Sequence, residues 1–392
     1  MRNPPSFARL FIFAAWLTSL ILLAVSCSAS MRMPSPTPEA PASGSILYTT
    51  IPPASEAPTR TPTLASPPTA TTQPGSLTDA ETATLSSLEK VDGYPLYTMH
   101  YSAPFDLEAL HSATTSWLDG VGSESDTNRP PANPWACSLF AALGDPENSL
   151  YGRNFDWEYS PALLLFKDSP GGYASVSMVD LAYFGFSGDQ ANNLLKLPLE
   201  ERRPLLRTPS MPFDGMNEHG LVVAMAAVQS EVMTFDPDKE TIDSIGVMRE
   251  MLDCARDVDE ALGILGSHNI RMNGPALHYL LADRSGKAVL VEFYKGEMHV
   301  IPNPQPWYVA TNFITASVEG DPAGTCWRYD TISRRLDETG GKLSTQEAID
   351  LLAQVSQDIT QWSVVYNMSN RIVHVVVGRQ YDSPPHVFQL GK

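Results

Sequence analysis

The stretch that decides the fold runs Cys137-Ser-Leu-Phe-Ala-Ala-Leu143, turns at Gly144-Asp-Pro-Glu-Asn148, and returns as Ser149-Leu-Tyr-Gly-Arg-Asn-Phe-Asp156. Two apolar, β-prone arms around a Gly-Asp-Pro-Glu-Asn turn predict a β-hairpin. Antiparallel pairing about Pro146 puts residue 137 opposite residue 155, since the two positions are equidistant from the turn. We therefore expect the Cys137 thiol, the Arg153 guanidinium and the Asp156 carboxylate at one end of the hairpin.

The first 27 residues have the pattern of an export signal. Arg2 and Arg9 flank the start of an apolar run over residues 10–25, which is short for a membrane-spanning helix. Ala24-Val-Ser-Cys27 resembles a bacterial lipobox, in which the cysteine is lipidated and becomes the new N-terminus. The resemblance implies an exported protein held at the outer side of the cell membrane by a lipid on Cys27. Leucine is commoner at position 24, so ordinary signal cleavage near Ser30 stays open.

The composition then changes along the chain. Residues 31–78 hold eleven of the 33 prolines, interleaved with Thr, Ser and Ala, so residues 28–78 are predicted to be a disordered tether. Residues 79–136 form a folded segment ahead of Cys137, with a helix predicted at 87–91 and a strand at 96–101. Residues 137–392 are predicted to be the catalytic domain, and the 43% hydrophobic content of the chain is enough for a large core.

Several function classes are disfavoured. A formal net charge of −18 argues against a nucleic-acid partner, because an acidic surface repels phosphate backbones. The eight histidines include no His-Glu-x-x-His run, and the chain has no Cys-x-x-Cys pair and no glycine-rich phosphate loop after a strand. We therefore expect neither a metal nor a cofactor. Gly185-Phe-Ser-Gly188 is not a nucleophile elbow, since its second glycine comes one place early.

The remaining patterns predict strands and helices in alternating blocks. Strands are predicted at 221–228, 277–282, 288–293, 298–301, 307–312, 362–368 and 372–377. Helices are predicted within 241–265, meeting near Asp257, and at 328–336 and 344–355, where Ser344-x-x-Glu347 forms a capping box. This order predicts an α+β fold in which two antiparallel sheets pack between helical layers.

Taken in order, the motifs resemble the N-terminal-nucleophile (Ntn) hydrolases with a cysteine nucleophile, which include choloylglycine hydrolase, penicillin V acylase, the 6-aminopenicillanic acid acyltransferases and acid ceramidase. The resemblance rests on Gly152-Arg-Asn-x-Asp156, with Arg153 sixteen and Asp156 nineteen residues after Cys137, on Asp214-Gly-Met-Asn-Glu-His-Gly-Leu221, and on Ala310-Thr-Asn312. It covers residues 90–392. It implies the αββα sandwich and an enzyme that hydrolyses linear carbon–nitrogen amide bonds of a small N-acyl amide.

The resemblance also implies self-cleavage between Ala136 and Cys137, at a bond that the proline-rich approach over residues 128–134 is expected to hold exposed. The freed α-amine can then accept the thiol proton near neutral pH, and a thioester acyl-enzyme follows. Arg153 is expected to favour the thiolate, and Asp156 to accept hydrogen bonds from the α-amine.

Three further residues complete the predicted site by resemblance. The side-chain amide of Asn312 and the backbone N–H of Ala227 are expected to donate to the oxyanion of the tetrahedral intermediate. Several choloylglycine hydrolases carry asparagine where this chain has Ala227. Arg328 resembles a second active-site arginine, although it comes earlier in this sequence than in those enzymes.

Structural explanations compete with each of these roles. Cys137 can be core packing, Arg153 and Asp156 an ordinary ion pair, and Asn312 a turn residue. Asp214 is expected to hydrogen-bond its own backbone in a turn. Cys254, predicted to be buried, is a candidate partner for Cys326, although their spacing does not demand a bridge.

Two alternative functions stay open from the sequence. An acyltransferase would use the same acyl-enzyme, and a surface lipoprotein could keep the fold only to bind a ligand. Trp157, Phe166, Met211 and Phe213 are candidates to line an apolar acyl pocket. Bile salts, penicillins, acyl-homoserine lactones and N-acyl amino acids all stay open as substrates, and the sequence does not indicate an oligomeric state.

Overall fold

The computed structural model describes residues 76–106, 136–168, 170–229, 235–272 and 274–391. The predicted signal with Cys27, the tether up to residue 75 and the proline-rich approach over residues 128–134 lie outside these ranges. No helix among the described residues is both long and apolar enough to cross a membrane.

The secondary structure alternates blocks of strands and helices, as the sequence pattern predicts. The strands are β1 (Glu89–Asp92), β2 (Leu96–Tyr101), β3 (Ser138–Ala142), β4 (Leu150–Asp156), β5 (Ala162–Lys167), β6 (Ser175–Asp180), β7 (Asp214–Asn217), β8 (Val222–Val228), β9 (Glu240–Asp243), β10 (His268–Arg271), β11 (Ala276–Ala282), β12 (Ala288–Tyr294), β13 (Glu297–Pro302), β14 (Trp307–Ala310), β15 (Thr360–Asn367), β16 (Ile372–Val377) and β17 (His386–Gln389). The α-helices are α1 (Asp79–Ser86), α2 (Gly188–Asn192), α3 (Gly246–Cys254), α4 (Val258–Ser267), α5 (Trp327–Thr339) and α6 (Thr345–Gln354). Short 3₁₀ segments cover Pro146–Asn148, Leu181–Phe184, Leu194–Lys196, Leu199–Ser210 and Thr315–Ser317.

The hairpin of β3 and β4 has the predicted register. Ser138 pairs with Asn154 and Leu139 with Arg153, so the continuation of the ladder sets residue 137 against residue 155. The turn is a 3₁₀ segment in which the Asp145 side chain accepts a hydrogen bond from the backbone N–H of Glu147. The turn chemistry and the two apolar arms were therefore sufficient to predict this pairing.

Two large sheets are formed. The six-stranded sheet has the order β14-β3-β4-β15-β16-β17, and the nine-stranded sheet has the order β1-β2-β5-β6-β7-β8-β11-β12-β13. The prediction of purely antiparallel sheets is wrong at one place, because β2 and β5 are parallel. The chain leaves the nine-stranded sheet between these strands to form β3 and β4 in the other sheet, so it can re-enter in the same direction. Strands β9 and β10 form a separate parallel pair.

The two large sheets pack face to face. Because side chains alternate along a strand, Leu139 and Ala141 face the core shared with the nine-stranded sheet, whereas Phe140 and Ala142 face the opposite way. A hydrogen bond also links the sheets, since the Tyr151 hydroxyl donates to the Leu280 carbonyl at 3.0 Å.

Helices cover the outer faces. Helices α3 and α4 pack on β7, β8 and β11 of the nine-stranded sheet, and α5 and α6 pack on β14, β3, β4 and β15 of the six-stranded sheet. Helix α6 begins with the predicted capping box, in which Ser344 and Glu347 each accept a hydrogen bond from the other's backbone. The arrangement is the predicted α+β sandwich with four layers, αββα.

Three local predictions were wrong. The helix predicted at 87–91 lies earlier, as α1, where Thr78 and Glu81 form a capping box, and Glu89–Asp92 is a strand. The helical region predicted from Thr241 begins instead with β9, and α3 starts at Gly246. Cys254 is exposed, because it is the last residue of α3 and the buried positions are taken by neighbours such as Met251 and Leu252.

Candidate active site

Cys137 lies immediately before β3, on the inner face of the six-stranded sheet. Cys137 is 6% exposed and Ala136 is 8% exposed. The expectation that the Ala136–Cys137 bond is exposed is therefore wrong, because both residues are buried. Self-cleavage stays a prediction, which burial permits because the Cys137 thiol belongs to the residue that contributes the nitrogen of this bond.

Arg153 reaches the sulfur from the neighbouring strand. It is paired with Leu139, one inner-face position from Cys137, so both side chains point into the space between the sheets. The Nη2 atom of Arg153 lies 4.0 Å from the sulfur of Cys137, and both residues are buried. A guanidinium at this position favours the thiolate over the thiol.

The other end of the guanidinium is held by Asp214, the first residue of β7. Arg153 Nη1 forms a buried ion pair with the Asp214 carboxylate and also donates to the Phe213 carbonyl. The carboxylate accepts hydrogen bonds from the Tyr366 hydroxyl and, at 3.5 Å, from Trp362 Nε1. Asp214 thus anchors Arg153 between the two sheets.

This contact corrects two expectations. Among the described residues, Arg153 pairs with Asp214 and not with Asp156, because residues 153 and 156 have opposite parity on β4 and face opposite sides. Asp214 does not serve a local turn. Its role was missed because the only signal in the sequence was a lone acid at the head of an apolar strand.

Asp156 lies at the end of β4 and is buried. Its carboxylate accepts hydrogen bonds from Thr360 Oγ1 at 2.5 Å and from Gln357 Nε2 at 2.8 Å. Burial raises the pKa of Asp156 to about 6, against the lowering effect of these two donors. Each carboxylate oxygen has a second lone pair, so the predicted acceptance of the Cys137 α-amine stays a prediction that these contacts allow.

Asn312 binds the main chain on both sides of the site. Its Oδ1 accepts the Cys137 N–H at 2.6 Å, and its Nδ2 donates to the Ala227 carbonyl at 2.8 Å. The second proton of Nδ2 stays available for an oxyanion. Because the N–H and C=O of one strand residue face the same side, the Ala227 N–H is directed toward the same edge of β8 as its carbonyl.

Arg328, near the start of α5, completes the group. Its Nη1 donates to the Cys137 carbonyl and, at 3.0 Å, to Ser138 Oγ, while its Nη2 donates to Asn312 Oδ1 at 3.0 Å. The Arg328 and Cys137 donors also fix the orientation of the Asn312 amide, since only its oxygen can accept from them. The structure therefore brings Cys137, Arg153, Asp156, Asn312, Ala227 and Arg328 to one place, and their catalytic roles stay predictions.

The charge state of the thiol depends on opposing effects. Burial raises the pKa of Cys137, and the Asp156 carboxylate acts in the same direction, whereas Arg153 and the Asp156 backbone N–H lower it. In the intact chain, burial is the larger effect. A thiolate therefore needs both Arg153 and a nearby base that takes the proton.

An apolar pocket opens beside the sulfur, with about 670 Å³ of empty volume including solvent. Of the four side chains expected there, Trp157, Met211 and Phe213 line it, together with Met225 and Leu277 from the nine-stranded sheet. Phe166 does not line it, because its ring stacks on His100, with ring centroids 4.8 Å apart. This cavity is called the acyl pocket below.

A second, more polar pocket lies at Asn312. Its lining residues include Gln229, Thr311, Thr325 and Arg328, and it shares Ala227 with the acyl pocket. Cys137 therefore lines the apolar cavity, Asn312 lines the polar one, and Ala227 lines both. An amide substrate has two such halves, an acyl group and an amine.

Two glycine-containing motifs have structural explanations. A Cβ atom at Gly152 would collide with the Phe140 ring, so the motif before Arg153 requires glycine there. In the block that begins with β7, Asn217 accepts hydrogen bonds from the N–H groups of His219 and Leu221. Its amide nitrogen donates to two carbonyls at the end of α3. Gly220 has a φ of +80°, which favours glycine. These contacts give the turn a structural role.

Residues 205–313 match the family model of the linear amide C-N hydrolases, choloylglycine hydrolase family. The matched segment contains Asp214, Ala227 and Asn312, whereas Cys137, Arg153 and Arg328 lie outside it. No curated protein matches the chain.

Solved structures similar to the chain include an acylase and a hydrolase. Penicillin V acylase from Agrobacterium tumefaciens has 18% sequence identity and a TM-score of 0.44, and the match covers 64% of this chain and 85% of the acylase. A mutant of conjugated bile acid hydrolase from Clostridium perfringens has 16% identity and a TM-score of 0.45, with 64% of this chain and 92% of the hydrolase covered.

The family match is separate from the hairpin motifs, because the matched residues 205–313 do not include the Cys137–Asp156 hairpin. The hairpin motifs and the matched segment thus indicate the same family independently. The resemblance that the motifs predict is confirmed: this chain is similar to the linear amide C-N hydrolases of the choloylglycine hydrolase family, and an amide-cleaving enzyme is the class that this supports.

Proposed function

We propose that this chain is an exported, lipid-anchored Ntn amidase that cleaves a linear N-acyl amide through a thioester on Cys137. The observation that carries the proposal is the position of the Cys137 sulfur. It lies 4.0 Å from Arg153 Nη2 and opens onto the acyl pocket, while the main-chain N–H of the same residue is bound by Asn312.

Processing is the first step. The Cys137 thiol attacks the Ala136 carbonyl, the acyl group moves from nitrogen to sulfur, and water cleaves the resulting thioester. Cys137 is then left with a free α-amine. In the intact chain its nitrogen already donates to Asn312 Oδ1, which can hold the amine afterwards. Asp156 supplies the further acceptor that the resemblance implies.

Catalysis then repeats the chemistry on a substrate. The α-amine takes the thiol proton, and the sulfur attacks the acyl carbon. The oxyanion is stabilised by Asn312 Nδ2 and the Ala227 N–H. The carbon–nitrogen bond breaks as the leaving amine takes the proton, and water hydrolyses the thioester to a carboxylic acid. We assign the acyl half to the acyl pocket and the amine half to the polar pocket at Arg328.

Export and anchoring rest on the sequence. The apolar run over residues 10–25 and the lipobox-like Ala24-Val-Ser-Cys27 support secretion with a lipid on Cys27. Residues 28–78 would then separate the enzyme from the membrane.

Intact-mass analysis of the purified protein tests processing and export together. The expected large chain runs from Cys137 to Lys392, which is 392 − 136 = 256 residues. Cys137→Ser should process slowly and Cys137→Ala not at all, whereas Cys254→Ala serves as a matched control that should process normally. An intact Ala136–Cys137 bond in active protein would refute self-cleavage.

Product analysis with and without an added amine then separates hydrolysis from acyl transfer. A Cys137→Ala variant with unchanged properties would favour a binding lipoprotein.

A further inference from the structure

A third cavity, distinct from the polar pocket at Asn312, adjoins the acyl pocket and is called the outer pocket. It has about 1140 Å³ of empty volume including solvent, and its lining includes Tyr159, Asp180 and Arg207. Trp157 and Tyr183 line both cavities. The two pockets are therefore neighbours that share this pair of aromatic side chains.

The outer pocket contains a buried carboxylate with an unused acceptor. Asp180, the last residue of β6, is 0% exposed. Its Oδ1 accepts the Ala182 N–H at 2.9 Å, but its Oδ2 has no hydrogen-bond partner in the described part of the chain. A buried acceptor without a donor is costly, so such atoms in native proteins call for a ligand, a water or a functional role.

The nearest side-chain hydroxyl is that of Ser160. Burial raises the pKa of Asp180, and the Ser160 hydroxyl lowers it in part. However, a hydroxyl has one proton to donate, and Ser160 donates it to the Glu158 carbonyl at 2.8 Å. Burial without a countercharge raises the pKa of Asp180 to about 6, as expected for a carboxylate that is not neutralised.

We propose that the outer pocket binds the far end of the substrate's acyl group, and that Asp180 Oδ2 accepts a hydrogen bond from a hydroxyl or ammonium group there. This inference rests on the proposed function, because it assigns the acyl half to the acyl pocket. It narrows the substrate class to acyl groups that are apolar near the amide and carry a hydrogen-bond donor at the remote end. The aromatic rings of Trp157 and Tyr183 would flank the apolar middle part.

The test uses N-acyl p-nitroanilides of increasing chain length, each ending in a methyl, a hydroxyl or an ammonium group. At the length that reaches Asp180, the wild-type kcat/KM should be at least about tenfold higher for a donor-terminated chain than for its methyl-terminated counterpart. The donor with the larger ratio identifies the preferred group.

Asp180→Asn is the informative variant. Asparagine keeps an oxygen that can accept the Ala182 N–H, but it places an NH₂ group where Oδ2 was, and this group donates and cannot accept. A terminal ammonium cannot accept from this NH₂ group, so the ratio of ammonium-terminated to methyl-terminated kcat/KM should fall to about one or below. Asp189→Asn, the same change at an exposed residue of α2, should keep the wild-type ratio. An ammonium-to-methyl ratio near one at every length in the wild type, or one that Asp180→Asn leaves unchanged, would overturn the inference.

A binding measurement separates this inference from the proposed function. Calorimetric titration with plain, ω-hydroxy and ω-amino carboxylic acids needs no turnover. If no anilide is hydrolysed but the ω-amino acids bind more tightly to the wild type than to Asp180→Asn, the amidase assignment fails and the pocket assignment holds. If the anilides are hydrolysed and the three acids bind equally, the reverse is true.

Discussion

The Nη2 atom of Arg153 lies 4.0 Å from the sulfur of Cys137. Its position is set by the other end of the guanidinium, which is ion-paired with buried Asp214 on the facing sheet. The charge that favours the thiolate is therefore held in place by an acid from a different part of the chain. This arrangement ties the activity of the site to the packing of the two sheets.

The first prediction concerns this pair. Arg153→Leu should lower turnover of N-acyl amides at least about a hundredfold, because the thiolate loses its cationic neighbour. It should also lower the free energy of unfolding by about 3–5 kcal/mol, since Asp214 is left buried and unpaired. Kinetics and denaturant unfolding measure the two effects.

The double variant Arg153→Leu/Asp214→Asn separates them. Asparagine removes the unpaired charge and keeps an acceptor for the Tyr366 hydroxyl. Stability should recover in part, whereas turnover should stay low. A folded double variant with full turnover would mean that Arg153 is only an ion-pair partner.

The second prediction concerns the pH dependence of Asp156. If the ionised carboxylate holds the α-amine, kcat/KM should fall as the pH drops through about 6, the pKa of Asp156. Asp156→Asn should lower turnover at least about a hundredfold at pH 8. Thr360→Val removes a donor that lowers this pKa, so it should shift the acid limb to higher pH. An unshifted limb would assign it to another group.

The same group makes a prediction for stability. The folded pKa of about 6 lies above the ordinary aspartate pKa of 3.8, so the folded state retains a proton that the unfolded chain loses. This stabilising contribution is complete below about 3.8 and is lost as the pH rises through about 6. The melting temperature of Asp156→Asn relative to the wild type should therefore rise between pH 4 and pH 6. A constant difference across that range would contradict the assigned pKa.

The third prediction tests the anchor. Cys27→Ala should move the protein from the membrane fraction to the soluble fraction without loss of amidase activity, because the tether contributes nothing to the pocket. Cys254→Ala changes an exposed cysteine elsewhere and should leave the distribution unchanged. Equal membrane retention by both variants would rule out the lipobox interpretation.

The fourth prediction concerns Gly152. Gly152→Ala should lower the free energy of unfolding by about 1–3 kcal/mol, because the added methyl group collides with the Phe140 ring on the helix-facing side of the sheet. Gly152→Ala/Phe140→Leu should recover part of this loss, as thermal unfolding would show. If the single variant is as stable as the wild type, the ring can move aside and the glycine is not required by packing.

Local patterns were sufficient where the deciding contacts are close in sequence. The register of the Cys137–Asp156 hairpin follows from turn residues and alternation, and the capping box of α6 needs only Ser344 and Glu347. The wrong predictions arose where local and tertiary preferences compete. The stretch at 87–91 can form a helix in isolation, but pairing with β2 makes residues 89–92 a strand.

The hairpin that carries Cys137 and Arg153, the order of strands and helices, and the family resemblance could all be predicted from the amino-acid sequence, because each depends on neighbouring residues or on ordered motifs. The distant side chains that complete the site became evident only in the folded protein. Asp214 lies 61 residues from Arg153, and Arg328 lies 191 residues from Cys137. Such contacts depend on how two sheets and a helix pack together, and no short-range periodicity encodes them.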